Sequence, residues 1–203
     1  MKRIVIFIFG IVLALGAMAA NPTASGILEA MRKTMLAKPA LEAKFTINGG
    51  DGAVQGSMTM SGACFYMSTP QLKVWYDGKT QWTYLASTGE VSITEPTADE
   101  LAASNPFAIL SSYERRYTAR RLADTNGRHR VELVPKSKGS GIEKIVVIAD
   151  STGKSPQAIS IYFDDNRQIS LVIDQLTGIA KPSQRTFEYN QKLQPASEII
   201  DLR

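Results

Sequence analysis

A mainly β, α+β fold is predicted from three observations. Apolar and polar residues alternate in about a dozen short segments at roughly ten-residue spacing, the pattern of half-buried strands. Turn signals such as Gly49-Gly50-Asp51-Gly52 and Asp77-Gly78 fall between them. The two helical stretches do not alternate with the strands, which excludes a βαβ arrangement. The pattern describes one strongly curled antiparallel sheet, with an N-terminal helix and a mid-chain helical segment lying against it.

The chain begins with the parts of a secretory signal peptide. Lys2 and Arg3 precede an apolar run from Ile4 to Leu15, and small residues follow through Ala20. The run is shorter than the roughly 20 residues a transmembrane helix needs. Cleavage after Ala19 fits Ala17-Met18-Ala19, and cleavage after Ala20 is the alternative. With no Cys nearby, the mature protein is expected to be unlipidated and soluble outside the cytoplasm. The expected organisation is a signal peptide over 1–19 and one domain over 20–203. Removing Lys2 and Arg3 lowers the formal net charge from +4 to +2.

A helix is expected over Thr23–Lys38. Thr23 or Ser25 can cap it, and Ile27, Leu28, Met31, Met35 and Leu36 recur near the helical period. Pro39 ends it. The period then changes to two. Phe45 and Ile47 alternate with Lys44 and Thr46, and Met58 and Met60 with Ser57, Thr59 and Ser61. Strands follow at Cys64–Ser68 and Leu72–Tyr76, with a two-residue hairpin expected at Asp77-Gly78. Trp82 and Tyr84 share one face of the next strand, and Val91 and Ile93 mark another.

Thr97-Ala98-Asp99-Glu100 has the form of a capping box, so a short helix is expected through Ala103. Asn105-Pro106 and the apolar Phe107, Ile109 and Leu110 follow. Strands resume over Tyr117–Leu122, Arg130–Pro135, Ile142–Asp150, Ala158–Asp164, Gln168–Asp174 and Thr186–Tyr189. Ile145 to Ile148 is apolar on both faces, as a covered central strand would be.

Composition removes several kinds of chemistry. One Cys and one His exclude an internal disulfide, a Cys/His zinc cluster and a two-cysteine redox pair. His129 sits between arginines with no nucleophile elbow in the chain, and reads as a surface histidine. Asp164 and Asp165 are adjacent strand residues and point to opposite faces. Lys136 to Gly141 does not join a strand to a helix, so it is no phosphate loop. Cys64 reads as a small buried thiol. Arg115, Arg116, Arg120, Arg121, Arg128 and Arg130 form a basic cluster, read as a solvated strand face. Contact with an anionic membrane or acidic partner is the functional alternative. An exported protein gives no reason to expect nucleic acid as partner. Neither an enzyme nor a cofactor or metal site is expected.

Asp77-Gly78-Lys79-Thr80-Gln81-Trp82-Thr83-Tyr84 and Thr88-Gly89-Glu90-Val91 resemble the central signature of the outer-membrane lipoprotein carrier protein family, LolA-like. The signal peptide, first helix, strand around Phe45, Asn105-to-Leu110 segment, late Asp-rich hairpin and chain end resemble that family in the same order. The resemblance implies an incomplete antiparallel barrel with a helical lid over an apolar cavity. It implies a periplasmic carrier that binds lipoprotein acyl chains and moves them from inner to outer membrane. The implied partners are acylated lipoproteins, an inner-membrane lipoprotein-releasing transporter and an outer-membrane acceptor; a monomer is expected. Phe45, Met58, Met60, Phe65 and Trp82 would face the cavity, and Met31, Met35, Phe107 and Leu110 would line the lid. In one departure, Ser61-Gly62-Ala63 stands where the family carries an Arg-Pro pair whose Arg holds the lid closed. The alternative function is a periplasmic lipid- or protein-sensing half-barrel that signals to a membrane partner.

Overall fold

Thr23 starts the first helix by accepting the Gly26 N–H on its Oγ1 at 3.0 Å. This helix, α1, spans Ala24–Leu36, and Lys33 in its last turn suits the negative helix end. Pro39 disfavours helical geometry at Lys38, so the helix stops short of the Lys38 end expected from periodicity. The computed structural model describes residues 21–50, 52–97, 100–101, 105, 107–137, 139 and 141–203. The expected signal peptide, the helix through Ala103 and the middle of the Thr97–Glu100 cap lie outside the described residues.

The described strands are β1 Ala40–Gly49, β2 Gly52–Ser61, β3 Cys64–Ser68, β4 Leu72–Tyr76, β5 Gln81–Leu85 and β6 Glu90–Thr94. After helix α2, Ala108–Arg116, come β7 Tyr117–Thr125, β8 Arg128–Pro135, β9 Ile142–Ala149, β10 Pro156–Phe163, β11 Gln168–Ile179 and β12 Glu198–Asp201. They form one 12-stranded sheet in the order β12-β6-β5-β4-β3-β2-β1-β11-β10-β9-β8-β7. The edges β7 and β12 do not pair, so the curled sheet is an incomplete barrel.

The sheet differs from the expected one in three places. β12 pairs with β6 in parallel, because the chain after β11 crosses behind the sheet and arrives in the direction of β6. The strand expected over Thr186–Tyr189 is instead a 3₁₀ turn, Gln184–Phe187, with Ser183 Oγ accepting the Arg185 N–H. Asp77-Gly78 is part of a four-residue connection, since Tyr76 pairs with Gln81. There Asp77 Oδ1 accepts the N–H groups of Lys79 and Thr80, both at 2.8 Å, and the side chain closes the turn.

Side-chain alternation gives the sheet an inner face, packed against the helices, and an outer one. The inner face carries two apolar clusters. Over β7–β10, Ile27, Leu28 and Met31 of α1 and Ile109, Leu110 and Tyr113 of α2 meet Val131, Leu133, Ile145, Val147 and Ile159. Over β1–β4 and β11, Phe107 covers Leu41, Phe45, Met58, Met60, Phe65, Met67 and Val74. Met35 packs against both.

Candidate functional site

A cleft of about 220 Å³ opens where the two apolar clusters meet. The end of α1, the start of β1, the β2–β3 turn and the residues Leu101, Asn105, Phe107, Ala108 and Leu110 surround it. Met35, Leu41, Met60, Leu101, Phe107 and Leu110 supply apolar wall, and Arg32, Lys38 and Asn105 supply polar rim. The volume is below the roughly 300–1,000 Å³ of pockets that take drug-sized ligands. The inner face is filled in this conformation, with the cleft as its opening.

Thr97, Glu100 and Asn105, on the cover side of the cleft, make backbone-directed hydrogen bonds. Thr97 N–H donates to Glu100 Oε2 at 2.7 Å, and Glu100 N–H donates to Thr97 Oγ1 at 3.4 Å, the reciprocal pair expected of a capping box. The Thr97 N–H and hydroxyl hold the Glu100 carboxyl below the usual range. Buried Asn105 accepts the Phe107 N–H on Oδ1 at 3.0 Å, which sets Phe107 over the β1–β4 cluster.

The rim shows what replaces the Arg-Pro pair. Ser61, Gly62 and Ala63 line the cleft, with Gly62 in the left-handed region at φ +59°. Ser61 Oγ donates to the Pro39 carbonyl at 3.0 Å, tying the end of β2 to the start of β1. The cations lining the cleft, Arg32 and Lys38, come from α1 and the turn after it. Arg32 donates to both Glu29 carboxylate oxygens at 2.7 and 2.8 Å, and this hydrogen bonding holds the Glu29 carboxyl down.

The expected cavity residues separate into three groups. Met60 reaches the cleft. Phe45, Met58 and Phe65 share its face but are sealed beneath, each at most 1% exposed. Trp82 stands on the opposite face: it pairs with Trp75, whereas Val74 and Tyr76 of the inner cluster pair with Thr83 and Gln81. The expectation that Trp82 faces the cavity is therefore corrected. Its side of the sheet is covered by the returning C-terminal segment, with Tyr189 packed edge-on to Trp75 at 5.5 Å.

Of the expected lid residues, Met35, Phe107 and Leu110 line the cleft, while Met31 is sealed among the aliphatic residues of β7–β10. Leu36, expected on the buried helix face, is 62% exposed at the rim. Sequence reasoning missed Leu41, Met67 and Leu101. Met67 was within reach of it, since it alternates with Phe65.

His129, expected at the surface, is half-buried. Its side chain is 15% exposed, and Nδ1 lies 3.0 Å from Asp124 Oδ2 and 3.1 Å from Arg121 Nη2. Arg121 also donates to the Pro22 carbonyl, fastening the approach to α1 onto the β7–β8 hairpin. Among the described residues, no group of three or more His, Cys, Asp or Glu is placed to hold a metal ion. No helix among them is long and apolar enough to cross a membrane.

An unclosed, curled, mainly antiparallel sheet with helices over an apolar inner face defines an incomplete-barrel fold, the class expected from the sequence. The chain belongs to the outer membrane lipoprotein carrier protein LolA family, whose model matches residues 19–164. Comparison with curated proteins gives no match. Among solved structures, an uncharacterised conserved protein from Thermus thermophilus is 11% identical at TM-score 0.57, over 86% of this chain and 96% of that one. A DUF1329 family protein from Desulfovibrio piger is 10% identical at TM-score 0.51, over 83% and 98%. A LolA superfamily protein from Nitrosomonas europaea is 10% identical at TM-score 0.46, over 83% and 99%. At these identities the first two show the shared fold.

Proposed function

We propose that the protein is a periplasmic carrier that takes up lipoprotein acyl chains between the inner face of its sheet and the segment from Leu101 to α2. It receives them from an inner-membrane lipoprotein-releasing transporter and delivers them toward the outer membrane, as a monomer without covalent chemistry. Residues 1–19 act as the export signal, and 20–203 form the single working domain. The observation that carries this reading is the cleft, which opens onto a continuous apolar face rich in methionine.

The filled interior sets the mechanism. Acyl chains enter as the Leu101–Leu110 cover swings outward and Phe107 gives up its place over Met60 and Phe65. Burial is worth about 0.8 kcal/mol per CH₂, so one chain of about 16 carbons gains roughly 13 kcal/mol gross. Displacing the cover offsets part of that gain, which keeps release possible. Methionine side chains, unbranched and polarizable, re-pack around varied chains.

The test is native mass spectrometry of gently purified mature protein, followed by transfer to acceptor membranes. Co-purified lipoprotein or lipid that is handed on supports a carrier. Lipid that binds and is never handed on favours the sensing alternative, and protein that stays empty overturns both.

A further inference from the structure

The basic cluster does not line the cleft, yet it surrounds a feature of its own. β7 is an edge strand: among the described residues it pairs with β8 alone. Just past the ladder, Lys136 N–H donates to the Arg116 carbonyl at 2.8 Å, which fixes which residues form hydrogen-bonded pairs. Alternation along an antiparallel pair then directs the backbone groups of Thr118 and Arg120 toward β8. Those of Ala119 and Arg121 face outward.

Charge is concentrated around this edge. Residues 114–136 hold seven cations and three carboxylates, net +4, while the mature chain as a whole carries only +2. All three carboxylates are engaged: Glu132 with Arg120 at 2.7 Å, Asp124 with Arg121 at 2.9 Å, and Glu114 with the Tyr113 hydroxyl at 3.2 Å. Arg115 and Arg128, near the two ends of the edge, are exposed and make no ion pair among the described residues. Positive charge along a strand edge discourages pairing with a second copy of the same edge, where arginines would meet arginines. It attracts a strand of opposite charge.

We propose that the β7 edge is a docking site for an extended acidic segment of a partner protein, added to the sheet as a strand. The Ala119 and Arg121 backbone groups supply the ladder, and the arginines select for carboxylates. A lipid surface would satisfy the charge but not the open backbone ladder, so the peptide is the occupant the geometry favours.

The test titrates the mature protein with a synthetic Thr-Glu-Val-Glu-Val-Glu-Thr peptide, with a Lys-for-Glu version as control. The Glu peptide should bind and the Lys peptide should not. Raising salt from about 0.05 to 0.5 M should weaken binding at least roughly tenfold. Bound peptide should slow amide exchange at Ala119 and Arg121 at least tenfold. R128E, outside the acyl-chain cover, should weaken peptide binding several-fold and leave acyl-probe binding unchanged. A119P should abolish peptide binding. Where A119P fails to fold, the charge variant and the exchange measurement decide. Equal binding of both peptides, or unchanged exchange at Ala119 and Arg121, overturns the proposal. So does binding to phosphatidylglycerol vesicles without binding to the peptide.

Discussion

The two halves of the inner face are built from different side chains. Over β7–β10 the buried cluster is mostly branched aliphatic, with Met31 its one methionine among 15 buried residues. Over β1–β4 and β11 three of 12 buried residues are methionine, and Phe45, Phe65, Tyr76 and Phe107 add large planar groups. Branched residues under two helices give a half with fixed rotamers and one packing. Methionine and phenylalanine under a single short segment give a half that can re-pack. The cleft opens at the boundary, beside Met35, which touches both. Stability resides in one half of this continuous sheet and adaptability in the other.

The largest effects should come from charge placed in the sealed layer of the pliable half. Phe65→Glu or Met58→Glu buries a carboxylate without a partner and should cost more than about 4 kcal/mol, enough to unfold the protein. Urea denaturation measures it. A folded variant that merely fails to bind an acyl probe would show this layer to be open instead of filled.

Leu133→Ala, in the aliphatic half, should lose about 2–5 kcal/mol and leave acyl-probe affinity unchanged. An affinity change comparable to the stability change would erase the distinction between halves. Gly56→Ala should cost about 1–3 kcal/mol by overpacking. A Cβ there would sit 2.5 Å from Phe45 Cε2 and 2.9 Å from the Ser68 carbonyl oxygen, and the carbonyl cannot move aside cheaply. Thermal melting reads both.

Leu36→Glu acts at the exposed rim. It should change stability by less than about 0.5 kcal/mol while weakening acyl-probe binding several-fold in a fluorescence titration. The smallest effect belongs to the cover's cap. Hydrogen bonds from Thr97 lower the Glu100 pKa below 4.5, so their stabilisation is complete above that pH and fades as pH falls through the folded value. Protection of the Leu101 amide, its exchange rate relative to the free-peptide rate at the same pH, should fall in that acid window, and Glu100→Gln should remove most of that change.

Local signals in the sequence were sufficient for much of this fold. β3 and β4 match the expected bounds, because each is a short apolar run closed by turn residues on both sides. The α1 cap and the Thr97–Glu100 box were legible because their partners lie three residues apart. What the sequence hid depends on residues far apart in the chain. Trp82 has the same alternation whichever face it takes. Its face is decided by pairing with β4 and by the segment from Gln184 to Tyr189, more than 100 residues later. The parallel β12 rests on the same return path. Of the candidate site, the chemistry of the wall was readable, but which residues are sealed and which reach the opening was not. Phe45 and Met60 have the same strand period, and only the position of Phe107 and α1 separates them.

Amide hydrogen exchange with and without a saturating acyl-chain probe tests the division of the inner face most directly. Exchange should change in the Leu101–Arg116 segment and in β1–β4, while the strands of the aliphatic half, β8 to β10, stay as protected as before. Equal change across both halves, or change confined to the aliphatic half, would contradict it.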